Sequence, residues 1–235
     1  MTAPTLPDVA KAELAILEMT NDFRKKYGLG VVKPDNKLAN AARAYAEYLA
    51  RSGKFAHDGD GRQPAERVTA AGYQYCFVAE NLALNQSSAG FQTRDLAKQM
   101  VEGWVNSPGH RKNLLAEHAT ETAVAVAKGP DRDPKYVAVQ LFARPKSLAY
   151  QFQISNSTGG PVRYSFGGKT HDLKPDMGVT HTACTPDEVT FEGATPPSPG
   201  KASLTRHKPA DGEIINLQKA GGGYRVDVRQ KERIP

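Results

Sequence analysis

The chain reads as an α+β protein: a mainly helical first part, residues 1–145, followed by a small all-β part, residues 146–235, of sandwich or open-barrel type. Three observations carry this. Only six Ala follow residue 145, whereas the first part is rich in Ala. Pro and Gly make up 18 of the first 145 residues but 19 of the last 90. Helical apolar spacing dominates before Arg144-Pro145-Lys146, and only period-two alternation follows it. Ala favours helix, while Gly and Pro punctuate short strands.

The elements follow in order. Residues 8–27 predict a helix, with Leu14, Leu17, Met19 and Phe23 at loosely helical spacing, Asp8 as cap and Gly28 as stop. Residues 35–52 predict a second, started by Asp35 or Asn36 and stopped by Gly53, with Leu38, Ala41, Ala42, Tyr45, Tyr48 and Leu49 on one face. Residues 64–71 predict a short helix ending at Gly72. Residues 93–106 predict another, with Leu96, Met100, Val101 and Trp104 on its apolar face, Thr93 as cap and Pro108-Gly109 as terminator. Residues 122–127 and 136–142 alternate as strands around a turn with Gly129-Pro130 and Asp133-Pro134. In the second part, residues 149–155, 162–166, 189–191, 213–217 and 224–228 read as strands. Gly167-Gly168 reads as a hairpin turn, and residues 196–200 (Pro-Pro-Ser-Pro-Gly) as an exposed loop.

Composition excludes several classes of function. With 235 residues, 39% hydrophobic and 24% charged, the chain is globular in type. No apolar run reaches 18 residues, so no transmembrane helix is expected. The net charge of +6 divides evenly, +3 in each part. Its local peaks are short: Arg24-Lys25-Lys26, Arg111-Lys112 and the run from Arg229 to Arg233. They read as solvated surface, and no nucleic-acid partner is expected. The start, Met1-Thr2-Ala3-Pro4, lacks a basic segment followed by an apolar one. It reads either as cytosolic or as a chain whose secretory signal has been removed.

Three polar residues of the first part are candidates for chemistry. His57 lies in the loop Phe55-Ala56-His57-Asp58-Gly59-Asp60-Gly61, which lacks the remaining ligands of a calcium-binding EF-hand. Glu80 interrupts the apolar run Cys76-Phe77-Val78-Ala79-Glu80-Asn81-Leu82-Ala83. A charge there needs a partner, a metal, a proton or the free amides of a helix N-terminus. His110 follows the turn at Pro108-Gly109, which redirects the chain and aims the ring either at loop backbone or into a cleft. Two His and one Glu suffice for a divalent site with open positions or an acid/base cluster, although their spacing matches no local metal motif. No nucleophile elbow and no phosphate-binding loop is present.

In sequence order, these pieces resemble the CAP superfamily (cysteine-rich secretory, antigen 5 and pathogenesis-related proteins) in its bacterial form. The resemblance rests on Asn21-Asp22-Phe23-Arg24, His57-Asp58-Gly59, Glu66-Arg67 with Ala71-Gly72-Tyr73, Glu80-Asn81-Leu82-Ala83, and Trp104 through Ser107-Pro108-Gly109-His110-Arg111-Lys112-Asn113-Leu114. Thr120-Glu121 and Phe142 close the series. It implies a three-layer α-β-α sandwich over the first part and an extracellular or periplasmic location. It also implies a cleft lined by two His and two Glu that in some members holds zinc or another divalent cation. Carried over by position, the cleft comprises His57, Glu80, Asn81, Ser107 and His110, with His57 and His110 as metal ligands. The family's second glutamate position is Ser107 here, and Ala79 stands where Gly commonly precedes the Glu-Asn pair. The last 90 residues resemble no recognised module.

Three functions follow from the resemblance. The first is a secreted binding module for a small apolar ligand such as a lipid or sterol. The second is a metal-dependent hydrolase with Glu80 as catalytic base on a zinc-bound water. The third is a cell-envelope adhesion or protein-interaction module that docks through the β part. The two cysteines, Cys76 and Cys184, read either as free thiols or as a Cys76–Cys184 disulfide clamping the two parts. The second is feasible in a secreted setting and closes a loop for which chain entropy gives roughly 4–5 kcal/mol.

Overall fold

The computed structural model describes residues 4–194 and 206–230. The chain forms two compact units, Met1–Ser147 and Leu148–Pro235. The loop at 196–200 and the end of the basic run after Gln230 lie outside the described residues.

The first unit runs α1 (Val9–Lys26), β1 (Lys33–Pro34), α2 (Asn36–Ser52), α3 (Pro64–Ala70), β2 (Tyr75–Gln86), α4 (Thr93–Asn106), α5 (Pro108–Leu114), β3 (Glu121–Lys128) and β4 (Lys135–Pro145). Its sheet has the order β1-β3-β4-β2, which makes β2 an edge strand. Side chains alternate across β4. Val137, Val139, Leu141 and Ala143 join Leu38, Tyr45, Leu49 and Val68 of α2 and α3 in one core. Tyr136, Ala138 and Phe142 join Ile16, Leu96, Met100, Trp104 and Leu114 of α1, α4 and α5 in another. Two cores on opposite faces of one sheet are the three-layer α-β-α arrangement, and they explain why the central strand carries little polar sequence.

Local chemistry sets the helix ends. Asp8 accepts the Lys11 N–H and Asp35 accepts those of Lys37 and Leu38, both as N-caps. Gly53 closes α2 at φ +69°, where an L side chain would be strained. Glu66 accepts the Gln63 N–H at 2.6 Å and Pro64 opens α3. Two expectations are corrected. Thr93 is the first residue of α4 rather than its cap, and its hydroxyl instead accepts the Asp8 N–H at 2.9 Å. Pro108-Gly109 does follow the end of α4 at Asn106, but it is not the turn that was expected. Pro108 opens the short helix α5, where its missing N–H costs nothing.

Arg24 overturns the expectation that the triplet Arg24-Lys25-Lys26 is solvated surface. It is fully buried. Its guanidinium donates to the carbonyls of Gly30 (2.8 Å), Leu114 (2.8 Å), Ala116 (3.0 Å) and Ala119 (3.3 Å). Leu114 and Ala116 lie at the C-terminal end of α5, where unsatisfied carbonyls favour a cation. One side chain of α1 thus fixes the turn after α1 and the exit from α5.

The far edge of the sheet is closed differently. The two residues of β1 pair with β3 only at Glu121 and Thr122. Beyond them Glu13 accepts the Val126 N–H at 2.7 Å, and Arg43 donates to the Val126 carbonyl at 2.9 Å and pairs with Glu13. A helix-borne ion pair therefore occupies the backbone groups that an incoming strand would use.

The second unit consists of β5 (Tyr150–Ser157), β6 (Val162–Phe166), β7 (Lys169–Leu173), β8 (Gly178–Ala183), β9 (Val189–Phe191), β10 (Arg206–His207), β11 (Glu213–Ala220) and β12 (Gly223–Gln230). They form two sheets, β10-β9-β6-β7 and β12-β11-β5-β8. Phe152, Ile154, Ile215 and Leu217 of one sheet and Tyr164, Phe166, Val189 and Phe191 of the other share one core. Of the two alternatives, the unit is a sandwich. Gly167 and Gly168 form the expected hairpin turn, both at positive φ. Buried Asn156 pins the β5–β6 turn by donating to the carbonyls of Gly160, Leu173 and Lys174 and accepting from Thr158. β7, β8 and β10 were not legible in the sequence. Both cysteines are disulfide-bonded and neither is a free thiol, which is the paired alternative.

Replacing Arg24 by Met strands several buried carbonyls. The expected outcome is a loss of roughly 3 kcal/mol or more, read as a lower urea midpoint at unchanged m-value. A loss within about 0.5 kcal/mol, the range of an ordinary surface substitution, would contradict the assigned role.

Candidate functional site

Edge strand β2 presents two neighbouring residues to opposite faces. Glu80 faces the α2–α3 side and Asn81 the α5 side, as period-two alternation requires. Glu80 sits mid-strand, so the reading that placed it at a helix N-terminus is corrected. Its side chain is 1% exposed, and both carboxylate oxygens are engaged. Oε1 lies 2.8 Å from His57 Nδ1, and Oε2 accepts from Arg67 at 2.8 Å.

Arg67 was missed as a site residue. It is 6% exposed and lies on α3. Besides Glu80 it donates to the His57 carbonyl (2.8 Å), the Arg62 carbonyl and Asp60 Oδ1 (3.0 Å). Its guanidinium lies 3.4 Å from the Tyr45 ring centre. The loop carrying His57 is fastened from the α2 side as well. The Tyr45 hydroxyl donates to the Ala56 carbonyl and accepts the Gly59 N–H, and the Tyr48 hydroxyl donates to the Gly59 carbonyl. The signal for Arg67 was the buried carboxylate itself, which requires a cation. Nothing in local spacing indicates which of the 31 basic residues supplies it.

On the other face Asn81 is fully buried and donates to the His110 carbonyl at 3.2 Å. Asn113, one turn after His110 on α5, donates to the Glu80 carbonyl (3.1 Å) and to Asn81 Oδ1 (2.9 Å). α5 is thereby stapled to the same two residues of β2 that hold the His57 loop. Ser107 ends α4 and starts α5. Its carbonyl accepts the Arg111 N–H at 2.8 Å, and its side chain hydrogen-bonds to none of His57, Glu80, Asn81 and His110. Glu102 is exposed, paired with Lys98, and supplies no second carboxylate.

The imidazoles are electrostatically distinct. The hydrogen bond to Glu80 raises the pKa of His57 above its ordinary value against the opposing effect of burial. Burial, reinforced by the nearby charge of His57, lowers that of His110. With Nδ1 held by Glu80, His57 keeps Nε2 for a ligand, a proton or a metal. Among the described residues no three His, Cys, Asp or Glu are arranged to hold a metal ion.

A three-layer α-β-α sandwich whose edge strand carries a buried carboxylate held by an imidazole and a guanidinium defines a class of protein. The family model "Cysteine-rich secretory protein family" matches residues 17–142, more than half of the chain. The chain belongs to this CAP family. It is 30% identical over 117 residues to YkwD of Bacillus subtilis, covering 49% of this chain and 42% of that protein. It is also 30% identical over 134 residues to the membrane protein YlbC of the same organism, covering 57% of this chain and 35% of that protein. The chain thus spans less than half the length of either relative. Among solved structures, an outer surface protein from Borrelia burgdorferi matches with 22% identity and a TM-score of 0.49, covering 57% of this chain and 93% of that one.

The two imidazoles are expected to titrate on opposite sides of about 6.5 in an NMR titration, His57 above and His110 below. Because the folded pKa of His57 is raised, its contribution to stability is fully present below about 6.5 and is lost as pH rises through the folded value. His110 acts in the opposite sense and costs stability as the solution is acidified. Coincident titration of both rings at the ordinary value would contradict this geometry.

Proposed function

We propose that the protein is an extracellular binding module that takes a small apolar ligand, such as a lipid acyl chain, in its CAP unit. The observation that carries this reading is a mainly apolar groove of about 330 Å³ between α1, α2 and the edge of β3, lined by Ala10, Leu14, Leu17, Pro34, Ala39 and Val124, with a polar side made of Glu13, Asp35, Asn36 and Thr122. That volume is at the small end of ligand pockets. Leu14 is 66% exposed at its mouth. Val126 directs both backbone groups outward to Glu13 and Arg43, so Val124, two residues earlier, directs its own N–H and C=O into the groove. This pair supplies the polar end that orients a ligand carbonyl, while Glu13 is neutralised by Arg43 and Asp35 is occupied as an N-cap. The disulfide-bonded cysteines support an oxidising, extracellular setting. Among the described residues no helix is long and apolar enough to cross a membrane.

The cleft supports a second, subordinate reading, a divalent cation between His57 and His110. The donor set fits as a two-imidazole site. Glu80 fixes the tautomer of His57 through Nδ1, as a carboxylate behind a metal-binding imidazole does, and water or ligand oxygen would complete the coordination. In this reading Glu80 orients His57. Both of its oxygens are already engaged, which disfavours the hydrolase alternative in which it takes a proton from water.

Displacement of a fluorescent fatty acid tests the first reading. Saturable micromolar binding is expected, weakened at least tenfold by Leu17→Asp, and absence of saturable binding to the wild-type chain overturns it. Calorimetry with zinc tests the second. His57→Ala should remove one of the binding events seen with wild-type protein, and unchanged heats would count against the cleft as a metal site.

A further inference from the structure

The β sandwich holds two histidines where its pattern calls for aliphatic side chains. β7 and β8 are the edge strands on the same side of the two sheets. Along β7, His171 alternates in phase with buried Leu173, and along β8, His181 alternates in phase with Val179 and Ala183. Both rings therefore turn inward and meet between the sheets, with centroids 5.1 Å apart and planes at 75°. His181 is stacked on Phe152 at 5.1 Å and flanked by Phe166 at 5.2 Å. His171 is stacked on Tyr164 at 5.0 Å.

The polar atoms of this pair are incompletely used. The Tyr164 hydroxyl lies 2.7 Å from His181 Nε2. Among the described residues, the other three ring nitrogens have no hydrogen-bond partner, and none of them is sealed from solvent. The half-buried rings leave those nitrogens within reach of an ion from solvent, which Val or Ile at the same positions could not bind. The spacing suits a metal ion. An ion about 2.0–2.1 Å from one nitrogen of each ring lies about 3.2 Å from each ring centre, and at a tetrahedral angle the centres then fall about 5 Å apart.

We propose that His171 and His181 form a divalent transition-metal site in the β unit, separate from the His57–His110 cleft. The ion is of the class that imidazole prefers, zinc or copper(II), with water in the remaining positions. His181 binds through Nδ1. Its ring proton then resides on Nε2 and is donated to the Tyr164 oxygen, so no net proton is released. Tyr164 acts as the orienting partner and not as a ligand, because burial pushes its phenol up to about 12.

The test uses the intact chain carrying His57→Ala and His110→Ala, so that the cleft cannot contribute. Titration with zinc chloride by calorimetry should give one binding event on the order of micromolar affinity. Copper(II) loaded at one equivalent should show coupling to two imidazole nitrogens by electron paramagnetic resonance. Adding His171→Leu, which restores the apolar pattern of β7, should weaken zinc binding at least tenfold and leave coupling to a single imidazole. No saturable heat at roughly 100 µM zinc, or binding that His171→Leu leaves unchanged, overturns the proposal. Either result would assign the pair to aromatic packing alone, and neither bears on the cleft.

Discussion

The CAP unit is organised around one buried charge. A carboxylate in the middle of an edge strand, covered by helices, is tolerable only if its environment is built to hold it, and Arg67 and His57 together do so. The demands of that ion pair propagate outward. Arg67 must be presented by a helix that starts sharply, which Pro64 and the Gln63–Glu66 cap provide. The His57 loop must pass close enough to donate, so Tyr45, Tyr48 and Arg67 fasten it at four backbone positions. Breaking such a pair typically costs about 3–5 kcal/mol, because the remaining partner is left buried and uncompensated. Exposed pairs on the same unit, such as Lys98–Glu102, contribute far less.

The two faces of β2 divide the labour. On one face charge fixes a ring, and on the other neutral amides fix a helix. Asn81 and Asn113 use the backbone of Glu80 and His110 rather than their side chains. The two imidazoles are thus positioned by independent networks that share one dipeptide of strand. A single-residue slip of β2 would exchange the faces and dismantle both networks.

Much of this was legible in the sequence where local chemistry decides structure. The starts and stops of α1 and α2 follow from Asp8, Asp35 and Gly53, and β3 and β4 from alternation. Glu80 was legible as an anomaly, since charge in an apolar run demands explanation. What escaped depends on long-range contact. β2 lost its alternation because helices cover both of its faces, leaving an unbroken apolar run that strand and helix could share equally. α5 was hidden because Pro108-Gly109 signals a stop as readily as a start. Arg24 looked like surface because its four carbonyl partners are scattered from Gly30 to Ala119. In the β unit, β7 and β8 carry His, Thr and Asp at positions where strands usually show Val or Ile, so their pattern was masked by the residues that make them distinctive.

The Glu13–Arg43 clamp on β3 has a consequence for the behaviour of many copies together. Sheets lengthen when one edge templates another, and a free edge needs a run of unpaired groups to do so. On this edge, β1 covers the start of β3 and the clamp takes Val126. Between them one residue, Val124, keeps outward-facing groups. One free hydrogen-bonding position between two occupied ones cannot nucleate a ladder. The stretch of this edge between β1 and the clamp is therefore too short to pair with a strand of a second copy of the same chain.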